Sequence, residues 1–520
     1  MSRFDDPDRR VIPRWRSSVT TARLGEMEPA RAVNEPIQIP EEDFNRLLAE
    51  WKKYGTPSFA ADLLGAAVLV RRLDEARDAA RLLLGDEASA SRPVRRLAEA
   101  VLNPGREDVT SPVLLRRADR YLKIANLKRR TRRTPRNALA WVDLALHYTT
   151  LGQESPAEHA IRVALSLAPH DRFVVRSAVR FLLHTGRAGE AHHLLKRTPR
   201  TIHDPWLLAS EIASATVIEE KSAFIRRARG MLEDDDIAPS HKSELASALG
   251  TVEMSQGSRR KARQLFERSL SSANDNALAQ VSWASRRHVG PLSVGGEMHT
   301  TPRTFEVQAW ESLRHRQWAD GVEATEAWLL DEPFSSRPAV LGSFLTSEVT
   351  ESYEKAERFA DFGLDADPHD TALWNNLAFA RASRGDVEGA EEAYQEISPS
   401  LLSDSAKIAY VATGGLISYR RGDILEGRAL YNAAIALAEK LRELDRVATA
   451  MVYQAREEMR FDPRAAVEML RQAEPIIDSE LPNGVFKHIL IHSYNRVVER
   501  AVEQGVLGGE ALRRAKDTPE

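Results

Sequence analysis

The 520-residue sequence contains no cysteine. This absence removes disulfides, thiolate nucleophiles and sulfur-ligated zinc or iron, and it leads to the expectation of a cytoplasmic protein. Excess charge of one sign is missing too. Against 73 Lys and Arg stand 76 Asp and Glu, a net charge of −3, so no global field draws the chain to nucleic acid or an anionic membrane. Long hydrophobic runs are also wanting. The most apolar stretch, Phe59 to Val70, is interrupted by Asp62 and falls well short of the roughly 20 residues that span a bilayer; it reads as a buried helix. The opening MSRFDDPDRR carries charges where a secretory signal needs an apolar segment.

Catalytic signatures are equally scarce. The sequence has no Gly-x4-Gly-Lys-Ser/Thr loop, no Gly-x-Gly-x-x-Gly turn and no Gly-x-Ser-x-Gly elbow, which leads to the expectation of a chain that is not an enzyme and carries no cofactor. Metal sites are not expected either. His488 and His492 share a helix face, yet no Glu follows His488 and no third ligand is evident. His184, His192 and His193 flank a predicted turn, and adjacent histidines point to different sides of a helix. The acidic run Glu233, Asp234, Asp235, Asp236 lies between predicted helices, where carboxylates cap incoming amides or stay solvated.

What is present is a pattern written twice. From Asn137 to Pro169, Trp141, Leu144, Ala145, Tyr148, Gly152, Ala157, Ile161, Ala164 and Pro169 recur at fixed offsets; from Asp370 to Ile397, Trp374, Leu377, Ala378, Gly385, Ala390 and Tyr394 repeat most of them. Trp141, Leu144, Ala145 and Tyr148, before the glycine in the first set, give one helix an apolar stripe. Glycine then closes that helix, and small alanines let a second helix approach. Both segments resemble tetratricopeptide repeats, whose period is near 34 residues. The resemblance implies an all-α, right-handed solenoid of about ten helical hairpins in two arrays.

The expected organisation follows from breaks in that pattern. Residues 1–40, rich in proline and charge, read as a disordered or surface-hugging arm; within it IPRWR (Ile12 to Arg16) is an aromatic-basic cluster suited to docking on a partner or folding back on the chain's own body. Residues 41–135 form an N-terminal helical region with a degenerate repeat, and 136–289 a first array. The stretch 290–303 has three glycines, two prolines and no helical period, so it reads as a linker. A second array spans 304–475, and 476–520 supplies capping helices and a tail.

By resemblance, the first helices of successive repeats line a concave groove, and the groove-facing offsets map to Val142, Leu146, Arg176, Arg180, Asn375 and Phe379. Arg176 and Arg180, four apart, can clamp one carboxylate or phosphate, or stand as solvated charges. The subgroup that grips acidic chaperone tails is a poor match: Asn376 fits, but Leu341, Leu345, Ala409 and Thr413 stand where polar clamp residues belong. A basic belt from Arg116 to Arg136 holds ten Lys or Arg against one Asp, with Lys128, Arg129, Arg130, Arg132, Arg133 and Arg136 as its densest part. Nucleic acid, an acidic protein, or internal pairing would each account for it.

The expected function is therefore a protein–protein interaction scaffold or adaptor that takes a partner segment in its groove. The alternative is a nucleic-acid-associated regulatory subunit working beside a separately encoded effector enzyme. No membrane or small-molecule partner is expected, and the alanine and arginine richness reads as the mark of a GC-rich bacterial genome.

Overall fold

The computed structural model describes residues 9–22, 41–85, 90–104, 109–287, 290, 292–482 and 484–508. Among these every regular element is a helix. α1 (Ser18–Ala22) belongs to the N-terminal arm. α2 (Glu41–Tyr54), α3 (Pro57–Val70), α4 (Arg77–Gly85), α5 (Arg92–Leu102) and α6 (Pro112–Arg133) make a first helical layer. Hairpins follow: α7 (Ala138–Thr149) with α8 (Glu154–Leu167), α9 (Arg172–His184) with α10 (Ala188–Arg197), α11 (Pro205–Val217) with α12 (Ile225–Leu232), and α13 (Pro239–Ser255) with α14 (Arg259–Leu270). α15 (Asp275–Arg287) is paired with the short α16 (Gly295–Thr300), α17 (Phe305–Arg314) with α18 (Trp318–Asp331), and α19 (Ser336–Glu348) with α20 (Tyr353–Ala366). The stack ends with α21 (Thr371–Arg384) and α22 (Val387–Gln395), α23 (Asp404–Arg421) and α24 (Ile424–Leu441), α25 (Leu444–Glu458) and α26 (Pro463–Pro475), then α27 (Val485–Glu503).

The chain is an all-α solenoid of helical hairpins. Each first helix packs on its own second helix, and first helices neighbour one another along most of the stack. The reasons are local. Asn137, Asp171 and Asp204 cap the first helices α7, α9 and α11, and Asp370 caps α21, by accepting backbone N–H bonds. Gly385 ends α21 in the left-handed region at φ +99°. Ala157 and Ala164 are fully buried where α7 and α8 approach. The two best-formed repeats even share a hydrogen bond: the indole of Trp141 donates to Pro135 O at 2.9 Å, and that of Trp374 to Pro368 O at 2.8 Å.

Three features depart from a plain open stack. Residues 292–303, within the stretch read as a linker, contain α16, and Leu292 and Val294 are buried. α27 packs on α25 and α26 as a cap would, but it also reaches back to the α19–α20 turn, with His492 Nε2 3.2 Å from Val349 O and Arg496 2.6 Å from Glu351. Most consequentially, the chain meets itself after seven hairpins. Arg117 makes a bidentate pair with Asp365 at 2.7 and 2.8 Å, Arg92 reaches Asp361 and Asp365, and the guanidinium of Arg116 lies 4.4 Å from the Phe362 ring. Gly152 sits in this seam at φ +63°, and a Cβ there would lie 2.9 Å from Asp365 O, so a side chain is excluded by both backbone and space. The concave face of the first hairpins thereby becomes a channel.

Candidate functional site

The concave face divides into two stretches. The first is filled by the chain's own arm. Residues 9–17 run without regular structure along the channel, and Val11, Trp15, Arg9 and Arg16 are buried. Trp15 is fully enclosed, 5.4 Å from the Phe334 ring and 6.3 Å from that of Phe181, in one apolar cluster with Val142 and Leu146. Three arginines flank it. Arg9 pairs with Glu306 at 2.9 Å and donates to Gln280 at 2.6 Å. Arg14 reaches Glu306 at 2.5 Å, Asp275 at 3.2 Å and also Glu332. Arg16 pairs with Asp331 at 2.5 Å and Asp275 at 2.6 Å.

The arm's main chain is held as well. Gln280 Nε2 donates to Arg9 O at 3.0 Å, Asn276 Nδ2 to Ile12 O at 2.9 Å, and Ser18 N to Asp143 at 2.7 Å. Buried carboxylates of this kind persist only when paired. Burial would raise Glu306, yet Arg337, Arg9 and Arg14 together hold it well below the ordinary carboxylate range. Glu332 follows the same logic, with burial opposed by Arg14 and Arg180, and so does Asp275, opposed by Arg16 and Arg14.

Arg176 and Arg180, expected to face the groove as a clamp, have internal partners. Arg176 forms a bidentate pair with Glu244 at 2.9 and 3.1 Å and stacks 5.0 Å from the Trp206 ring. Arg180 lies 4.7 Å from the Phe334 ring, and burial lowers its pKa to about 10.

The second stretch faces a cavity of about 130 Å³ lined from α19, α21, α23, α24, α25 and the start of α27. Phe344, Phe379, Tyr453 and Phe486 supply aromatic wall, and Ser347, Glu348, Asn375 and Asn376 supply polar atoms. Asn376 donates to Ser343 Oγ at 2.8 Å and to Val340 O. Asn375 and Ser347 are 7% and 3% exposed, and among the described residues Asn375 Oδ1 and Ser347 Oγ have no hydrogen-bond partner. Burial raises the Glu348 carboxyl despite Arg456 nearby and a hydrogen bond with Tyr453. Asn375 and Phe379 thus share one site, remote from Val142 and Leu146.

The basic belt is split. Arg117 and Arg116 enter the seam described above, and Lys128 pairs with Asp62 while donating to Ser58 Oγ at 2.8 Å. Arg129 lies 3.9 Å from Asp43, and Arg132 is 5.3 Å from the Phe59 ring. Arg130, Arg133 and Arg136 are exposed at the end of α6. Among the described residues no group of three or more His, Asp or Glu is arranged to hold a metal ion. His192 instead contacts Glu211 at 3.0 Å, and Glu233 pairs with Arg268. No helix is long and apolar enough to cross a membrane among the described residues.

Sequence reasoning singled out the aromatic-basic cluster of the arm but not its acceptors, Asp275, Glu306, Asp331 and Glu332. It also missed Ser347, Tyr453 and Phe486 around the cavity. The one available signal was the aromatic-arginine density of the arm itself.

No protein-family model matches the chain, and no curated protein matches it. Among solved structures it is similar to a chain of the APC/C hetero-tetramer Cut9–Hcn1, at 14% identity over 87% of this chain and 93% of that one, with a TM-score of 0.38. It is also similar to yeast Tom70, at 12% identity over 90% and 100% of the two chains, TM-score 0.29. A tetratricopeptide repeat protein from Parabacteroides merdae is 14% identical over 61% of this chain and 97% of that one, TM-score 0.26. Likenesses this distant carry no functional weight, and the hairpin solenoid stands on its own helices.

Proposed function

We propose that the chain is a non-catalytic adaptor that holds a segment of a partner protein against the concave face of its second array, with one side chain of that segment seated between Asn375 and Phe379. A single observation carries the reading: two buried polar atoms, Asn375 Oδ1 and Ser347 Oγ, lie without partners beside aromatic wall. Leaving a buried polar group unsatisfied costs about 1–3 kcal/mol. An incoming ligand that satisfies these atoms recovers that cost, and aromatic wall adds apolar contact. The adaptor works in the cytoplasm of a bacterium in this reading.

The test is photo-crosslinking from position 379 in native cells, with nuclease treatment as a control. One defined protein should be captured, and Ala412→Trp, which fills the cavity, should abolish the capture. Retention of the same protein by the filled variant would remove the cavity from the interface and sink the proposal.

A second reading, association with nucleic acid beside a separately encoded effector enzyme, draws on the exposure of Arg130, Arg133 and Arg136. It requires salt-sensitive retention on a nucleic-acid column that disappears when these three are neutralised.

A further inference from the structure

The channel around the arm has the chemistry of a receptor, and its occupant has the chemistry of a ligand. Four carboxylates with buried side chains, on α15, α17 and the end of α18, converge on a strand-like segment without regular structure of its own. Two of the arm's carbonyls are bound by side-chain amides, those of Gln280 and Asn276. Native cores rarely bind a segment this way; extended peptides in grooves are held by main-chain bonds plus pockets for a few anchors. In the sequence, 18 residues separate Ala22 from Glu41. Fully extended, at roughly 3.3–3.6 Å per residue, a stretch of that length would span about 60 Å, which bounds the reach of a displaced arm.

We infer that this channel is a recognition site for an extended segment carrying arginine, then five residues later arginine–tryptophan–arginine, that the N-terminal arm occupies it in cis, and that a partner protein bearing the same pattern displaces it. Charge complementarity fixes the class of partner. Without the arm, the described cations that remain for Asp275, Glu306, Asp331 and Glu332 are Arg303, 2.9 Å from Asp331, Arg337, 2.7 Å from Glu306, and Arg180, whose charge acts on Glu332, three against four carboxylates. The vacated channel is net acidic and low in dielectric, so it discriminates strongly for cations. Phe181 and Phe334 then leave a slot for a large aromatic ring. The arm itself fits imperfectly, because the buried Trp15 Nε1 has no acceptor among the described residues. A competing segment that supplies one gains an advantage the arm lacks.

The experiment uses the full chain with a protease site inserted between residues 23 and 40. After cleavage, a fluorescein-labelled peptide of residues 9–22 is added in excess and exchange is followed by anisotropy. Saturable exchange is expected, weakened by about tenfold or more when the peptide carries Trp15→Ala or Arg14→Gln. Glu306→Gln or Asp331→Asn in the body should weaken it similarly, and a scrambled peptide should not bind. A cleaved chain that stays helical and never exchanges its arm would overturn the inference and make the arm a fixed strut. Exchange of arms between intact copies, with no uptake of free peptide, would assign the channel to a second copy and overturn it too. Should the cleaved chain unfold, hydrogen exchange of the intact chain decides. Amides of residues 9–22 must open faster than those of α15 and α17, and opening only with global unfolding would refute displacement.

Discussion

The two stretches of concave face are built by equivalent helices and hold opposite kinds of chemistry. Around the arm, carboxylates and guanidinium groups are matched almost one to one, and among the described residues the arm's buried atoms without a hydrogen-bond partner are the Trp15 indole N–H and Arg14 Nε, the latter ion-paired 3.2 Å from Asp275. Around Asn375, amide and hydroxyl groups face aromatic wall and two polar atoms wait. A hairpin scaffold fixes where side chains stand but not which ones, so a single solenoid can present a satisfied site and an unsatisfied one on neighbouring hairpins. The closing seam at Arg117 and Asp365 sharpens the contrast by turning the first stretch into a channel and leaving the second open to its cavity.

The largest effect expected is from breaking the satisfied site. Trp15→Ala removes a fully buried ring and should destabilise the chain by about 3–5 kcal/mol, read as a lower denaturant midpoint with lost protection across α15 and α17. An unchanged midpoint would mean the arm is not part of the folded core.

Acid should separate the two stretches next. His184, edge-on to Phe334, has its pKa lowered to about 4 by burial, and His147 on α7 is lowered to about 3 for the same reason. Both are neutral in the fold and charged in the unfolded chain below about pH 6.5. Their contribution to stability is therefore complete above that pH and is lost as pH falls towards 4 and then 3, on the order of 1 kcal/mol per pH unit each. Glu348 at the cavity has a raised pKa, so its contribution runs the other way, present at low pH and lost as pH rises through its folded value. Hydrogen exchange at pH 7 and pH 5 should show the arm and α9 loosening while α19 and α25 hold. Equal loosening of both would contradict the assignment.

A smaller effect comes from removing one charge. Asp331→Asn leaves Arg16 and Arg303 short of a partner and should cost about 1–3 kcal/mol, measured by the same denaturation. The smallest is at the open site: Asn375→Leu should change stability by less than about 1 kcal/mol, in either direction, because its amide oxygen makes no bond to lose. Partner cross-linking from position 379 should nevertheless fall. A large loss of stability there would mean that the amide is structural.

The hairpins are legible in the sequence because their determinants are local. Trp141, Gly152, Ala157 and Ala164 act within one repeat, and helix periodicity plus a closing glycine suffices to find them. The channel is not legible for the opposite reason. Asp275 stands in the first turn of a helix and Asp331 and Glu332 at the end of one, positions where acids commonly serve as caps or lie in solvent, and nothing near them announces an arginine from residues 9 to 16. The cavity fails similarly, since Phe486 arrives from a terminal helix whose return path depends on Val349 and Glu351. Arg176 resembled a groove clamp because its partner, Glu244, is 68 residues away.

The distance between the arm and its acceptors also has a meaning in time. Arg16 and Asp331 are 315 positions apart, and ribosomes add roughly 5–20 residues per second. Residue 16 therefore waits roughly 15–60 s for residue 331 to be synthesised. During that interval Arg16 lacks Asp331, so closure of the arm in cis can only follow synthesis of α18.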